Sequence, residues 1–213
     1  MTEALTAPLV HIVDDDDAIR DALSWLFATR QVDSLVWDSG EAFLQAVTPD
    51  SRGCILLDIR MGGISGLEVF ERLRQMQSAL PVIFLTGHGD LPLAVNALKQ
   101  GAADFIEKPF NDNDLVDRVL DVLRSYQVSQ AERASEDALE RRLETLSQRE
   151  REVLALALEG RLNKQIAEDL SITMRTVEVH RARALEKMQA RTLLELARAL
   201  DPARLKDTGS GAG

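Results

Sequence analysis

Short apolar runs, each closed by a polar residue, alternate through the first part of the chain with stretches whose apolar residues recur at helical spacing. Leu9 to Val13 is the first such run, and it leads into Asp14, Asp15, Asp16 and Asp17. Ile19, Leu23, Leu26 and Phe27 then fall at i, i+4, i+7 and i+8, one face of an amphipathic helix, with Asp16 or Asp17 placed to cap it. Val32 to Trp37 reads as a second strand and Gly40 to Val47 as a second helix. The stretch Gly53-Cys54-Ile55-Leu56-Leu57-Asp58-Ile59 is apolar without alternation, the pattern of a strand covered by helices on both faces of a parallel sheet. Leu67, Phe70 and Leu73 mark the next helical face, and Pro81 opens a fourth strand, Val82 to Leu85, ending at Thr86. Leu91 to Gln100 is a helix closed by Gly101, and Ala103 to Ile106 is a fifth strand leading into Glu107-Lys108-Pro109-Phe110. Five strands alternating with five helices predict a doubly wound five-stranded parallel sheet.

The last of those helices begins near Asn111 to Asp114, and its pattern scarcely stops before Leu146, with no Pro or Gly to break it. Leu115, Val119, Val122 and Tyr126 form one stripe, followed by Ala131, Ala134 and Ala138, then Leu139, Leu143 and Leu146. A long helix therefore joins two domains, either as a stiff or coiled-coil-forming connector or as a frayed one. Ser147, with Glu150 three residues on, forms a capping box ahead of the apolar face of Val153, Leu154, Leu156, Ala157 and Leu158, and Gly160 stops that helix. A short helix from Asn163, a turn at Ser171 to Thr173 and a longer helix from Met174 to Met188 have the spacing of a helix-turn-helix. Thr192 to Leu200 closes a small all-α bundle of four helices. The expected organisation is a first domain over 1–124, a helical linker over 125–145, a helix-turn-helix domain over 146–205 and a Gly, Ser and Ala-rich disordered tail over 206–213.

Composition sharpens this division. The chain of 213 residues carries a net charge of −10, which by itself argues against a polyanion partner. The charge is uneven, however: up to Arg124 there are 20 acidic against 10 basic residues, whereas from Leu146 to Leu205 there are 9 against 11. Such asymmetry points to a polyanion partner on the C-terminal side alone. Met1 to Pro8 lacks the basic start and apolar run of a signal peptide, and no window approaches the length of a membrane span. The single cysteine, Cys54, sits in the apolar strand, as a core residue in a reducing compartment. A cytoplasmic location without membrane contact is the expectation.

Right-handed crossovers bring the carboxyl ends of parallel strands to one edge of the sheet. Asp14 and Asp15 follow the first strand, Asp58 ends the third, Thr86 the fourth, and Lys108 follows the fifth. Three carboxylates, a hydroxyl and an ammonium thus converge. This set suits phosphoryl transfer to a carboxylate: a nucleophilic Asp, a hard divalent cation on oxygen ligands, and donors for the equatorial oxygens.

The runs VDDDD, LLDIRM, LTGHGD and FIEKPF, in that order and spacing, resemble the receiver domain of two-component response regulators, and GHGDLPLAVNALKQGAADFIEKPF resembles the FixJ branch. The string LSQREREVLALALEGRLNKQIAEDLSITMRTVEVHRARALEKM is similar to the LuxR-type helix-turn-helix domain of the FixJ/NarL class. The resemblance implies a CheY/flavodoxin-like receiver whose phosphoacceptor is Asp58. Asp14 and Asp15 would form an acidic pocket for Mg²⁺ (or Mn²⁺), with Asp15 preferred as the direct ligand and the backbone carbonyl of Arg60 completing the shell. Thr86 would move to hydrogen-bond the phosphoryl group, Lys108 would pair with it ahead of a cis Lys108-Pro109 bond, and Phe105 would be the aromatic that turns inward. Arg60 and His88, two residues past Asp58 and Thr86, flank the path of an attacking water and are expected to set the lifetime of the phosphoryl group. One departure stands out: the family usually has Pro where this chain has Gly62.

On the DNA side, Thr173, Arg175, Thr176, Val179, His180 and Arg183 would lie on or near the groove-facing side of the recognition helix. Lys164, Arg181 and Lys187 would contact phosphates. Glu178, where many relatives carry Lys, either accepts from cytosine or is solvated. The resemblance further implies a sensor histidine kinase as donor, a homodimer when phosphorylated, a two-fold promoter operator and RNA polymerase as partners. An enzyme of the carboxylate-nucleophile phosphatase type needs a second Asp two residues after the nucleophile, and Arg60 stands there. The expectation is therefore a regulator that catalyses only its own phosphorylation and dephosphorylation.

Overall fold

The computed structural model describes residues 8–48, 51–87 and 91–205, so His88 and the tail over 206–213 lie outside the described residues. Five strands, β1 (Leu9–Val13), β2 (Asp33–Trp37), β3 (Cys54–Asp58), β4 (Val82–Thr86) and β5 (Asp104–Glu107), alternate with helices α1 (Asp17–Thr29), α2 (Gly40–Ala46), α3 (Gly66–Gln75), α4 (Leu91–Lys99) and α5 (Asp112–Glu144). All neighbouring strands are parallel, in the order β2-β1-β3-β4-β5. This is the flavodoxin-like order, in which the strand sequence reverses between β1 and β3 and opens a crevice beyond their carboxyl ends.

β3 is buried at every residue, as a central parallel strand requires. Val10, Ile12, Leu56, Ile83 and Leu85 pack on one face of the sheet with Leu23 and Phe27 of α1 and Leu115, Val116 and Val119 of α5. Val13, Ile55, Leu57 and Phe84 pack on the other with Phe43 of α2, Val69, Phe70 and Leu73 of α3 and Ala94 and Ala97 of α4. Gly66, the first residue of α3, donates its amide to Ile59 O at 3.0 Å. A Cβ there would stand 2.1 Å from the carbonyl oxygen of Asp58, so the close approach that fixes the end of β3 admits only glycine.

Contacts divide the chain into two units, Met1–Gln130 and Ala131–Gly213, within the span of the continuous helix α5. In α5 the residues over 131–137 are all exposed, consistent with an alanine stripe that packs on nothing there. The second unit contains α6 (Gln148–Leu158), α7 (Asn163–Asp169), α8 (Met174–Lys187), α9 (Leu193–Ala199) and a 3-10 helix over Pro202–Leu205 that the apolar pattern does not reveal. Ser147 and Glu150 form the expected capping box on α6, and Thr173 caps α8 through its hydroxyl. Leu143, Leu146, Leu154, Ala184 and Met188 form one apolar cluster, and Val153, Ile166 and Val177 another.

An ion pair between an exposed ammonium and a buried carboxylate ties α6 to α8: Lys187 Nζ donates to Glu150 Oε2 at 2.6 Å and to Thr145 O at 2.9 Å. Burial opposes ionisation of Glu150, but Lys187 and the Ser147 amide and hydroxyl outweigh it and hold the carboxyl below its usual range. Glu150→Ala is expected to destabilise this unit by about 1 kcal/mol, since the carboxylate half of the capping box is lost together with an ion pair whose ammonium is already in contact with water. Because the folded carboxyl is depressed, the native pair contributes stability above the unfolded value of about 4.3 and loses it as pH falls through the folded value. The variant and wild type should therefore differ most above about pH 5 and converge in acid, read by circular dichroism and by hydrogen exchange of α6 and α8 amides.

Candidate functional site

The four-aspartate run resolves into separate tasks. Asp16 caps α1 by accepting from Ala18 N at 2.8 Å, and Asp17 pairs with Arg20 in the first turn. Arg20 also donates to the carbonyl of Asp14 at 2.7 Å, which fixes the turn leaving β1. That leaves Asp14 and Asp15 at the crevice, Asp14 1% exposed and held by the amide of Asp16 at 2.9 Å. Asp58 is 7% exposed at the end of the adjacent β3.

The carboxylates of Asp14, Asp15 and Asp58 offer oxygen atoms that lie within 4.8 Å of one another. Lys108, beyond β5, reaches across with its ammonium 2.8 Å from Asp14 Oδ2 and 2.9 Å from Asp58 Oδ1. Burial raises the Asp58 carboxyl above the ordinary carboxylate range. Lys108 counters it, and the charges of Asp14 and Asp15 raise it further. For Lys108, burial works against the charge, but its hydrogen bonds to the two aspartates prevail and keep the ammonium above its usual value. Hard oxygen ligands without nitrogen or sulfur are the donor set of Mg²⁺ or Mn²⁺.

The loop after β3 is tied down by carboxylates: Gly62 N donates to Asp15 Oδ2 at 2.8 Å and Ile64 N to Glu41 Oε1 at 3.0 Å. The first of these bonds depends on the residue being something other than proline, which has no amide to give. Arg60 is exposed on this loop. Thr86 is buried, and its hydroxyl donates to Ile106 O on β5 at 3.4 Å. Phe105 on β5 is partly buried against the apolar cluster of the α4 face. The Lys108-Pro109 bond is cis, as the resemblance implies. Among the residues assigned to this site from the sequence, His88 lies outside the described residues. Arg20, Glu41 and the Gly62 amide are additions that only the structure supplies.

In the second unit, α7, a turn with Ser171 at φ 55° and α8 make the helix-turn-helix. Lys164, Thr173, Arg175, Val179 and Arg183 are exposed, and Thr176 is half-buried with its amide on the Thr173 hydroxyl. Three further residues assigned to DNA contacts have different surroundings. His180 is half-buried with Nδ1 enclosed, Arg181 donates to Asn163 Oδ1 at 3.2 Å, and Lys187 holds Glu150. His180 and Arg181 flank the buried side of the helix, which Val177, Ala184 and the C-cap residue Met188 define.

A doubly wound domain with an acidic crevice opposed by a lysine, carried on one chain with a helix-turn-helix bundle, defines a two-domain signalling regulator. The family model described as response regulator receiver domain matches residues 10–120, and that described as bacterial regulatory proteins, luxR family, matches 144–200. The chain belongs to the two-component response regulators that join a receiver to a LuxR-type DNA-binding domain. It is 50% identical over 191 residues to the C4-dicarboxylate transport transcriptional regulatory protein DctR of Rhodobacter capsulatus, covering 89% of this chain and 97% of that protein. It is 47% identical to the transcriptional regulatory protein FixJ of Azorhizobium caulinodans, covering 89% and 90%. Among solved structures, the response regulator StyR superposes with a TM-score of 0.84 at 36% identity, covering 91% of this chain and 98% of that one. Among the described residues no helix is long and apolar enough to cross a membrane.

Proposed function

We propose that this chain is a cytoplasmic, phosphorylation-activated transcriptional regulator that takes a phosphoryl group on Asp58 from a sensor histidine kinase. The observation that carries this reading is the Lys108 ammonium shared between Asp14 and Asp58 beside the open carboxylate of Asp15. An Asp58 carboxylate oxygen attacks phosphorus, the phosphorus–nitrogen bond of the donor phosphohistidine breaks, and an acyl phosphate forms as the imidazole leaves. Lys108 is placed to turn from the carboxylates to the incoming oxygens. A divalent cation held by Asp14, Asp15, Asp58 and the Arg60 carbonyl would neutralise charge on the transferring group. Thr86 is one rotation of its side chain from exchanging the Ile106 carbonyl for a phosphoryl oxygen, which would release β5 and Phe105 to repack. Arg60 and His88 tune hydrolysis of the acyl phosphate. The phosphorylated chain dimerises, binds a two-fold promoter operator and meets RNA polymerase there, catalysing no reaction beyond its own phosphorylation and dephosphorylation.

The test is light scattering together with selection of bound sequences from random duplex DNA, with and without beryllofluoride and Mg²⁺. Dimerisation and a gain in DNA affinity on adding both support the proposal. Equal mass and equal affinity in the two conditions overturn the gating by Asp58.

A further inference from the structure

α8 carries three distinct faces. Val177, Ala184 and Met188 are buried; beside them His180 is half-buried with Nδ1 enclosed, Arg181 donates to Asn163 and Lys187 pairs with Glu150. Opposite lies a shallow open depression lined by Arg175, Glu178, Val179 and Ala182, at i, i+3, i+4 and i+7. Val179 is 43% exposed, and Arg175 and Glu178 are exposed as well. Although three residues apart, Arg175 and Glu178 form no ion pair, and among the described residues neither side chain has a hydrogen-bond partner. A carboxylate therefore stands at the centre of the surface that the DNA-binding reading turns toward a polyanion.

Brought against DNA, an unpaired carboxylate is repelled by phosphates and by every major-groove acceptor. The groove offers two donors, cytosine N4–H₂ and adenine N6–H₂. The adenine donor stands beside the N7 acceptor of the same base, which a carboxylate cannot satisfy but an amide can. Cytosine presents its donor alone, and the acceptors of its pairing guanine, O6 and N7, suit the fork of an arginine. The Arg175 guanidinium one turn earlier on the same face supplies that fork. Val179 offers an apolar surface that fits the thymine methyl, and Ala182 is small enough to let the backbone approach closely.

We propose, resting on the DNA-binding reading above, that Glu178 and Arg175 together select a C·G pair in each half-site. Glu178 accepts from cytosine N4, Arg175 donates to a guanine of that pair or the next, and Val179 packs on a neighbouring thymine methyl. Glu178 is thus a specificity-determining residue rather than a solvated one.

The experiment selects half-site sequences from random duplexes with the full chain in beryllofluoride and Mg²⁺, comparing wild type with Glu178→Gln and Glu178→Ala. Both variants change an exposed side chain, and a circular dichroism spectrum equal to wild type confirms the helix. Wild type is expected to favour cytosine at one position by about 5- to 100-fold over the other bases. Glu178→Gln should move that preference to adenine, whose N6 and N7 a glutamine bonds together. Glu178→Ala should flatten the preference at that position alone while binding unselected DNA more tightly, because a repelled charge is gone. If both variants keep the wild-type preference at every position, the inference is overturned while DNA binding stands. If wild-type protein selects no sequence at all, the DNA-binding reading fails and the inference with it.

Discussion

Asp58→Asn will leave the receiver unable to take a phosphoryl group and will make it more stable at neutral pH. Uptake from acetyl phosphate or a phosphorylated kinase should fall by at least about a hundredfold, to background, because an amide oxygen does not form the acyl phosphate. The gain in stability follows from the crevice. Three carboxylates share it with one ammonium, and burial already raises the Asp58 carboxyl above its usual range. A group whose folded value is raised contributes stability below its unfolded value and loses it as pH rises through the folded one. At pH 7 the charged Asp58 therefore opposes folding, and the isosteric amide removes that cost while Asp14 keeps Lys108 paired. Thermal melts across pH 4 to 8 should show the variant's advantage growing toward neutrality and vanishing in acid. A variant equally or less stable at pH 7 would mean that the Lys108 bond to Asp58 outweighs the crowding of like charges. Phosphoryl uptake that survives the substitution would place the acceptor elsewhere.

The positions that line the crevice are legible because each stands at or just past the end of an apolar run, where strand and crossover rules alone place it. A strand continuous in Ile and Leu that ends in Asp58, and a second that ends before Asp14, put both carboxylates at the sheet edge without any contact being known. What lay beyond reach was the partner of each side chain. Arg20 closing on the Asp14 carbonyl, Glu41 on the Ile64 amide and Lys187 on Glu150 are pairings set by tertiary approach, with no periodic signal. Thr86 is a different case: its place at the edge is set by the strand, but the rotamer that gives its hydroxyl to Ile106 is set by β5. The 3-10 helix over Pro202–Leu205 is too short to show a period. The faces of α8, by contrast, could have been read more sharply. Val177, Ala184 and Met188 recur at i, i+7 and i+11, which defines a buried side and turns His180 and Arg181 toward it. The same helical phase turns Glu178 and Ala182 outward.

Lys108→Met will have the largest effect on stability of any substitution at the crevice. Its ammonium satisfies Asp14 Oδ2 and Asp58 Oδ1 at once, and these carboxylates are 1% and 7% exposed. Removing it leaves two buried like charges facing each other with Asp15 nearby, and losing one side of a buried pair is strongly destabilising. The lysine is itself 23% exposed, so water softens the loss, and a cost on the order of 3 kcal/mol at pH 7 is expected. Two conditions should restore stability, and together they separate electrostatics from simple loss of packing. Lowering pH lets Asp58 take a proton, and since removal of Lys108 takes away what holds its carboxyl down, recovery begins at higher pH than in wild type. Millimolar Mg²⁺ should also stabilise the variant more than the wild type, because the cation no longer competes with an ammonium for the same oxygens and binds only the folded state. Urea unfolding at pH 7 and pH 5, each with and without Mg²⁺, reads both effects. A deficit that neither acid nor Mg²⁺ reduces would show that Lys108 acts through the packing of its methylene stem. A deficit that both reduce would show the crevice to be a charge-balanced site, in which the lysine holds together carboxylates that would otherwise repel one another.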